Sequence, residues 1–199
     1  EALSVEVPDV RLLPFFDDFD DNTIDSTRWS RPTTKAGEEN KWKSDYYAYG
    51  LVDFSACYPY SSMADYSQSL VTRELNTPNP DNTWIRYEVR LDYNLKYAVS
   101  GLYSVLATEI STDGGNTWTQ VDGIKNDVGS FSWRTYEFPL NKYLANNHLF
   151  KIRFRAWGND ARYVNYWFVD DVKIWNPTTH ATTIKTLNAG HPVANCLVK

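Results

Sequence analysis

The sequence predicts an all-β fold, an antiparallel sandwich of two β-sheets with jelly-roll topology of the concanavalin A-like or galactose-binding-like kind. Three observations support this prediction: apolar and polar residues alternate in several separate segments, turn residues fall between those segments, and no long amphipathic helix pattern occurs. Strands that follow one another at short intervals without intervening helices are typical of a sandwich or jelly roll.

The alternation is clearest in three segments. In WIRYEVRLDY, residues 84–93, every second residue from the isoleucine onward is apolar. In FKIRFRAW, residues 150–157, the isoleucine, second phenylalanine and alanine share one face, and the lysine and two arginines share the other. In YWFVDDVKIW, residues 166–175, one face is predicted to carry Phe168, Val172 and Ile174. A single helical turn is expected in NKYLANN, residues 141–147.

The domain is predicted to span residues 1–175. The segment NPTTHATT, residues 176–183, has the composition of a linker. Residues 184–199 regain β-like character, and GHPVANCLV within them resembles the opening of small β-sandwich modules of bacterial surface proteins. These residues are therefore either the start of a following β module or a C-terminal strand that packs on the main domain.

The composition excludes some function classes. The formal net charge is −5 with no basic stripe, which argues against a nucleic-acid partner. No apolar run is long enough to span a membrane. The chain begins at Glu1 without the pattern of an export signal, so such a signal was either removed, as expected for a secreted protein, or never there. Cys57 and Cys196 lie in very different contexts, so one disulfide is possible, free thiols are expected, and no metal-binding cysteine spacing occurs.

The first acidic cluster lies in PFFDDFDDNTIDSTRW, residues 14–29, where five aspartates stand among apolar residues. If the segment begins as a strand, Asp17 shares a face with the flanking phenylalanines, while Asp18 and Asp20 share the other face. Carboxylates this close repel one another, and a bound Ca²⁺, which takes six to eight oxygen ligands, relieves the repulsion. The alternative is a solvated acidic edge that blocks strand addition.

The second acidic cluster is the pair Asp170–Asp171, inside an otherwise apolar strand. One of the two must face the apolar side, and burying an unpaired carboxylate costs several kcal/mol. Arg153 or Arg155 could supply the required cation. A metal ion shared with the first cluster is the other candidate.

The segment STDGGNTW, residues 111–118, resembles the Asp box, SxDxGxTW. Its aspartate can accept hydrogen bonds from backbone N–H groups of the turn, its second glycine supplies a positive φ, and its tryptophan can cover the turn. A self-stabilised hairpin is therefore predicted, and a single copy excludes a propeller. The motif positions are Ser111, Asp113, Gly115, Thr117 and Trp118.

The opening FxDxFD pattern, the Asp box and the final FVDDVKI strand, in that order, resemble the cleaved-adhesin domains of gingipain-type proteins, the MAM domains and the reelin repeats. The resemblance covers Leu12 to Trp175 and implies a jelly roll with a structural calcium ion between the first and last strands. It also implies a secreted or cell-surface bacterial protein with covalently linked neighbouring domains, which binds a host protein or a glycan. The positions that match the metal site are Asp18, Asp20, Asp170 and Asp171. One departure is Asp where these families have Glu in the opening element.

The opening FFDDFDDNTIDSTRW also resembles laminarinase-type glucanases, another jelly-roll family. The paired carboxylates at alternate strand positions that such retaining enzymes need, about 5 Å apart, do not occur in the sequence. No GxSxG, HExxH or phosphate-loop pattern occurs, and the three histidines are scattered. The sequence therefore predicts a non-catalytic domain without catalytic residues.

A binding surface is predicted from aromatic residues in two segments with poor alternation, ENKWKSDYYAYG and ACYPYSSMADYS. Aromatic rings beside polar groups suit a carbohydrate platform, and equally a protein-binding hot spot or a cover for the sandwich edge. The leading hypothesis is an adhesion or ligand-binding module. The alternative is a carbohydrate-binding module attached to a glycan-degrading enzyme, and the third hypothesis is a laminarinase-like hydrolase. The predicted ligand-binding residues are Trp42, Tyr46, Tyr47, Tyr49, Tyr58 and Tyr60.

Overall fold

The computed structural model describes residues 10–33, 38–46, 53–94 and 101–178, and a short hairpin at 187–188 and 191–192. The described elements are strands, three short 3₁₀ turns and one helical turn, which confirms the predicted all-β class. The strands, in chain order, are β1 (Val10–Leu12), β2 (Phe15–Asp17), β3 (Trp29–Ser30), β4 (Lys43–Tyr46), β5 (Phe54–Pro59), β6 (Ala64–Thr72), β7 (Glu74–Asn76), β8 (Trp84–Tyr93), β9 (Ser104–Ser111), β10 (Thr119–Lys125), β11 (Phe131–Pro139), β12 (Leu149–Asp160), β13 (Val164–Trp175), β14 (Leu187–Asn188) and β15 (His191–Pro192). The helical turn is α1 (Asn141–Leu144), and the 3₁₀ turns are Pro80–Asn82, Asn126–Val128 and Ala161–Tyr163.

Two sheets pack face to face, as the sequence predicts. In the first, here the β12 sheet, β12 lies between β6 and β9, β10 extends the β9 side, and β3 extends the β6 side. Strand β7 pairs with the start of β12, and β1 joins β7 in parallel. In the second, here the β13 sheet, the order is β11-β8-β13-β5-β4, and β2 also pairs with β13.

The core between the sheets is built on aromatic rings, because the inward positions of the alternating strands carry large side chains. The Trp29 ring, from the β12 sheet, lies 5.4 Å from the Phe15 ring of the β13 sheet, and Phe154 lies 5.0 Å from Tyr87 across the same gap. The hydroxyl of Tyr87 accepts a hydrogen bond from Thr108 at 2.8 Å, so its polar end is satisfied inside the core. Full burial of each such side chain stabilises the fold by about 1.5–3 kcal/mol.

The alternation predicted for β8 and β12 is confirmed, but the one predicted for β13 is wrong. Trp167 and Val169 lie in the core, whereas Phe168, although only 3% exposed, lies outside the central core cluster. Between Asp170 and Lys173 the pairing with β8 shifts by one residue, which is a β-bulge. Because the bulge reverses the inward phase, Phe168 does not share a face with Val172 and Ile174.

The hairpin between β9 and β10 has the hydrogen bonds that its sequence predicts. The Asp113 carboxylate accepts hydrogen bonds from the backbone N–H of Thr117 at 2.9 Å and from the hydroxyl of Ser111 at 2.7 Å. The Trp118 indole N–H donates to the carbonyl of Gly115 at 3.0 Å, and Gly115 has a φ of +102°. Hydrogen bonds from Thr117 and then Ser111 hold the pKa of Asp113 well below its usual value, so this carboxylate serves the turn.

The two residues that follow the predicted domain boundary at residue 175 contact the domain. The Asn176 amide donates to the backbone carbonyls of Asn79 at 2.8 Å and Asn82 at 2.9 Å, and the carbonyl of Pro177 accepts from the Asn82 side chain at 2.8 Å. The first two residues of the predicted linker are therefore held against the domain. Beyond residue 178 only the backbone of the short β14–β15 hairpin is described, so the prediction for residues 184–199 lies largely outside the described residues.

Cys57 is a free, fully buried thiol on β5, and burial raises its pKa to about 12. Its possible partner, Cys196, lies outside the described residues. In the described part of the chain no helix has the length and apolarity to cross a membrane.

We expect Gly158→Ala to lower the free energy of unfolding by about 1–3 kcal/mol, since a Cβ there overpacks the sheet. That Cβ would lie 2.2 Å from the carbonyl oxygen of Tyr103 and 2.9 Å from Cα of Ser104, which is backbone already paired to β12. Gly123→Ala is the matched control, because its Cβ would meet only the movable end of the Gln120 side chain. Urea denaturation of both variants tests this, and equal stability of the two would contradict it.

Candidate functional site

The two acidic clusters meet in the structure, because β13 changes its partner strand at Asp170 and Asp171. Strand β5 pairs with β13 through Val169, and β2 pairs with it from Val172 onward, on the same side. The end of β2 and the beginning of β5 therefore face each other across the acidic pair. This places Asp18 and Asp20, which follow β2, near Asp53, which precedes β5. We call these five aspartates the acidic junction: Asp18, Asp20, Asp53, Asp170 and Asp171.

The electrostatics of the acidic junction show mutual repulsion. A hydrogen bond between the carboxyl groups of Asp20 and Asp53 raises the pKa of Asp53 to about 6, with further contributions from burial and from the charges of Asp20, Asp171 and Asp18. Burial raises the pKa of Asp170 to about 7, and the hydroxyl of Ser55, which donates to it at 2.8 Å, offsets only part of this effect. The sequence drew attention to four of the five members, and Asp53 was missed.

Burial raises the pKa of Asp171 as well, followed by the charges of Glu88 and Asp18. The backbone is also unusual on both sides of the acidic junction, because Phe19 has a φ of +54° and Asp171 a φ of +46°. Such left-handed conformations are uncommon for residues other than glycine and cost about 1–3 kcal/mol each. The junction thus concentrates both charge and backbone strain.

Asp17 faces inward with Phe15, as predicted, and takes no part in the acidic junction. Its carboxylate accepts a hydrogen bond from the Trp29 indole N–H at 2.7 Å and another from the backbone N–H of Phe19 at 3.1 Å. Arg28 lies 3.5 Å from it. This aspartate therefore joins the opening strand to the aromatic core.

Neither arginine proposed as a partner of Asp170 lies near it. Arg153 and Arg155 lie in the other sheet and donate hydrogen bonds to Glu109, so the suggested pairing is wrong. The acidic junction offers only oxygen donors, which suit Ca²⁺. Within residues 10–33, 38–46, 53–94 and 101–178, however, no three His, Cys, Asp or Glu side chains are arranged so that they could hold one metal ion. Side-chain rotation is needed before these carboxylates converge.

The aromatic residues predicted to bind a ligand are not brought together. Trp42 and Tyr58 are fully buried, so their burial contradicts their prediction as stacking residues. Tyr46 and Tyr60 are 55% and 43% exposed, but Tyr46 pairs with Phe54, so about 20 Å of extended strand separates them. Tyr47 and Tyr49 lie outside the described residues.

A different aromatic row lies on the outward side of the β13 sheet. Tyr166 and Phe168 alternate along β13 and stack with their ring centroids 5.2 Å apart. Trp133, from β11, packs edge-on against Phe168 at 6.1 Å. Trp133 and Tyr166 are half-buried, whereas Phe168 is almost fully covered. The alternation of β13 could have indicated this row, but the bulge concealed which face it occupies.

Polar groups border the aromatic row. Across the β13–β8 ladder, Tyr166 lies opposite Asp92, Phe168 opposite Arg90, and Asp170 opposite Glu88. Asp170, a member of the acidic junction, therefore lies in the same row of alternate β13 positions as Tyr166 and Phe168. Next to them is a groove of about 230 Å³, lined by Arg90, Leu91, Asp92, Ser130, Phe131 and Ser132.

Three solved structures share this fold at low sequence identity. The K3 cleaved adhesin domain of Lys-gingipain from Porphyromonas gingivalis w83 is 19% identical, with a TM-score of 0.53 over 81% of this chain and 96% of that domain. CBM27-1 from Caldicellulosiruptor saccharolyticus, solved with mannohexaose, is 13% identical, with a TM-score of 0.53 over 82% of this chain and 97% of its own. TmCBM27, a carbohydrate-binding module described for specific mannan recognition, is 12% identical, with a TM-score of 0.51 over 83% and 98%.

No protein-family model matches the sequence, and no curated protein matches it significantly. At these identities the likeness to the solved structures extends to the fold, which is a two-sheet jelly-roll sandwich. The three structures are two carbohydrate-binding modules and an adhesin domain.

Without divalent cations, we expect the stability of the protein to fall as the pH rises from about 4 to about 7. The folded-state pKa of Asp170, about 7, lies above its unfolded value of 3.8, so the folded state favours the protonated form. This contribution is fully present below pH 4 and is lost as the pH rises through 7, by about 2–4 kcal/mol. Urea denaturation should show a smaller fall for Asp170→Asn, which is neutral at every pH.

Asp81→Asn is the control for this experiment, since Asp81 is an exposed carboxylate in the turn before β8. That variant should keep the pH dependence of the parent protein. If Asp170→Asn shows the same fall as the parent, the carboxyl of Asp170 is not held in its protonated form.

Proposed function

We propose that this chain is a non-catalytic ligand-binding module that attaches a larger secreted or cell-surface protein to a neutral glycan. The observation that carries the proposal is the aromatic row of Trp133, Tyr166 and Phe168 beside the groove of Arg90 and Asp92. The fold shared with two mannan-type binding modules and an adhesin domain supports the same class of function.

The chemistry of this face suits a sugar chain. The exposed faces of half-buried aromatic rings can contact the C–H groups of a sugar. Because neighbouring residues already hold the rings in place, little side-chain entropy is lost on binding. The carboxylate of Asp92, which accepts from Asn165 at 3.3 Å, and the hydroxyl groups of Ser130 and Ser132 can exchange hydrogen bonds with sugar hydroxyls. The groove of about 230 Å³ beside the rings offers space for part of a sugar chain.

Hydrolysis is not part of the proposal. A retaining glycosidase needs two carboxyl groups about 5 Å apart with the sugar between them. Asp20 and Asp53 interact so closely that the pKa of Asp53 is raised to about 6, which does not match a pair held apart on either side of a sugar. The laminarinase-like alternative therefore has no support from the acidic junction.

A calcium ion at the acidic junction is the second part of the proposal. Asp18, Asp20, Asp170 and Asp171 are the expected ligands, and we include Asp53 because the charges of Asp20, Asp171 and Asp18 act on it. What supports the ion is the uncompensated repulsion, which a divalent cation bound by oxygen ligands would remove. Binding requires the side chains to rotate toward a common point, and it would stiffen the end of the glycan-binding face at Asp170.

The glycan proposal predicts that Trp133→Ala and Tyr166→Ala each weaken binding about tenfold or more, as expected when a central aromatic contact is removed. Isothermal titration against soluble mannan and xylan, with a pull-down on insoluble polysaccharides, measures this loss. Circular dichroism must show that each variant keeps the parent fold.

Tyr46→Ala is the matched control, because Tyr46 is an exposed tyrosine outside the aromatic row. It should bind like the parent protein. If the parent binds no neutral polysaccharide, the glycan proposal fails and adhesion to a protein takes its place. If Tyr46→Ala abolishes binding while Trp133→Ala does not, the ligand binds elsewhere.

The calcium proposal predicts that added CaCl₂ raises the melting temperature above its value in EDTA at pH 7, since an ion that binds only the folded state stabilises it. Asp170→Asn and Asp53→Asn should each reduce this response, and Asp81→Asn should not. Identical melting curves of the parent protein in CaCl₂ and EDTA would exclude a stabilising calcium ion.

A further inference from the structure

The outward face of the β12 sheet carries a second organised cluster that the proposed function does not use. Arg153 and Arg155 alternate along β12, and Glu109 lies beside them on β9. A tryptophan stacks on each arginine, Trp118 from the hairpin and Trp157 from β12. We call this set the arginine strip: Glu109, Trp118, Lys151, Arg153, Arg155 and Trp157.

One carboxylate holds both arginines in place. Glu109 is 4% exposed and accepts from Nε of Arg153 at 2.5 Å, from Nε of Arg155 at 2.9 Å and from Nη2 of Arg155 at 2.7 Å. Burial alone would raise the pKa of Glu109, but the hydrogen bonds from Arg155 and Arg153 outweigh it and lower that pKa. Glu109 therefore remains a carboxylate, and the two guanidinium groups are fixed relative to each other.

The tryptophans bracket the arginines. The guanidinium of Arg153 lies 4.2 Å from the Trp118 ring centroid, and that of Arg155 lies 4.8 Å from the Trp157 ring centroid. In this stacked arrangement a guanidinium covers one face of each indole, so the strip offers N–H donors rather than open ring faces. Rigid donors lose little conformational entropy when they bind a ligand.

The arginine strip carries more positive charge than its own carboxylate neutralises. Lys151, Arg153 and Arg155 face one glutamate, a formal charge of +2 in a chain of net charge −5. Among the described residues, both terminal NH₂ groups of Arg153 and Nη1 of Arg155 have no hydrogen-bond partner. These donors lie along about 7 Å of strand.

We propose that the arginine strip binds an anionic polysaccharide, one that carries carboxylate groups along an extended chain. The two terminal NH₂ groups of Arg153 match a carboxylate in a bidentate geometry, and Nη1 of Arg155 adds a further donor. Two such cations about 7 Å apart along β12 suit a ligand with repeated carboxylates rather than a single ion. The site lies on the opposite side of the sandwich from the aromatic row, so this inference does not depend on neutral-glycan binding.

A polypeptide strand fits this face less well. Strand β12 is paired with β6 on one side and β9 on the other along the strip, so its backbone groups are already used. A peptide could not extend the sheet here, which is the usual way an extended peptide gains main-chain hydrogen bonds. A polysaccharide needs only the outward side chains.

Binding to polygalacturonate, followed by isothermal titration on the whole chain, tests this inference, with fully methyl-esterified polygalacturonate as the neutral form of the same polymer. We expect the carboxylated polymer to bind, the ester not to bind at the strip, and affinity to fall as ionic strength rises from about 0.05 M to about 0.5 M. Arg153→Gln should weaken binding about tenfold or more, since hydrogen bonds to charged groups are lost. This variant leaves Arg155 paired with Glu109, so the fold should persist.

Lys173→Gln is the charge-matched control, because Lys173 is an exposed cation on the opposite sheet. It should bind polygalacturonate like the parent protein. An equal loss in Lys173→Gln and Arg153→Gln would show general charge attraction and overturn the site. Absence of polygalacturonate binding would overturn it as well, and tighter binding of poly-glutamate would assign the strip to an acidic polypeptide instead.

Discussion

The β-bulge of β13 at Asp171 is the constraint on which the second sheet depends. Strand β13 pairs with β8 along almost its whole length, while on its other side β5 gives way to β2. Because one extra residue is inserted at this exchange, the odd-numbered positions Trp167 and Val169 face the core before the bulge, and the even-numbered positions Val172 and Ile174 face it afterwards. Trp167 and Val172 both point inward as a result, although they are an odd number of positions apart, with four residues between them. The acidic junction and the aromatic row follow from the same exchange.

The two sheets differ in how a buried carboxylate is compensated by neighbouring hydrogen-bond donors and charges. On the β12 sheet, Glu109 is almost fully buried but accepts three hydrogen bonds from two arginines, so the carboxylate is compensated where it stands. On the β13 sheet, Asp170 is buried with the hydroxyl of Ser55 and a backbone N–H as donors, and other carboxylates surround it. A buried carboxylate that is paired with cations holds its partners in a fixed arrangement. A buried carboxylate without such partners tends to bind a proton or a metal cation.

The aromatic residues show why composition is a weak guide to a binding surface. Trp42 lies in a segment with no strand alternation, yet its indole N–H donates to the carbonyl of Gln68 at 3.1 Å and its ring is fully buried. Trp133 and Tyr166 lie in strands, where a core role is the usual expectation, and they lie on the outward side. Whether a ring faces solvent depends on which strands cover it, and those strands come from distant parts of the sequence.

Features whose contacts are local in the chain could be predicted. The hairpin at residues 111–118 needs only neighbours within four positions, and the faces of β8 and β12 follow from an unbroken period of two. The meeting of the two acidic clusters was expected from the family resemblance, but other features that join distant segments could not be predicted. The pairing of Arg153 with Glu109, the arrival of Asp53 at the acidic junction and the phase of Phe168 depend on strand order and on one bulge. Strand order sets which distant residues meet, and a single extra residue moves every side chain after it to the other face.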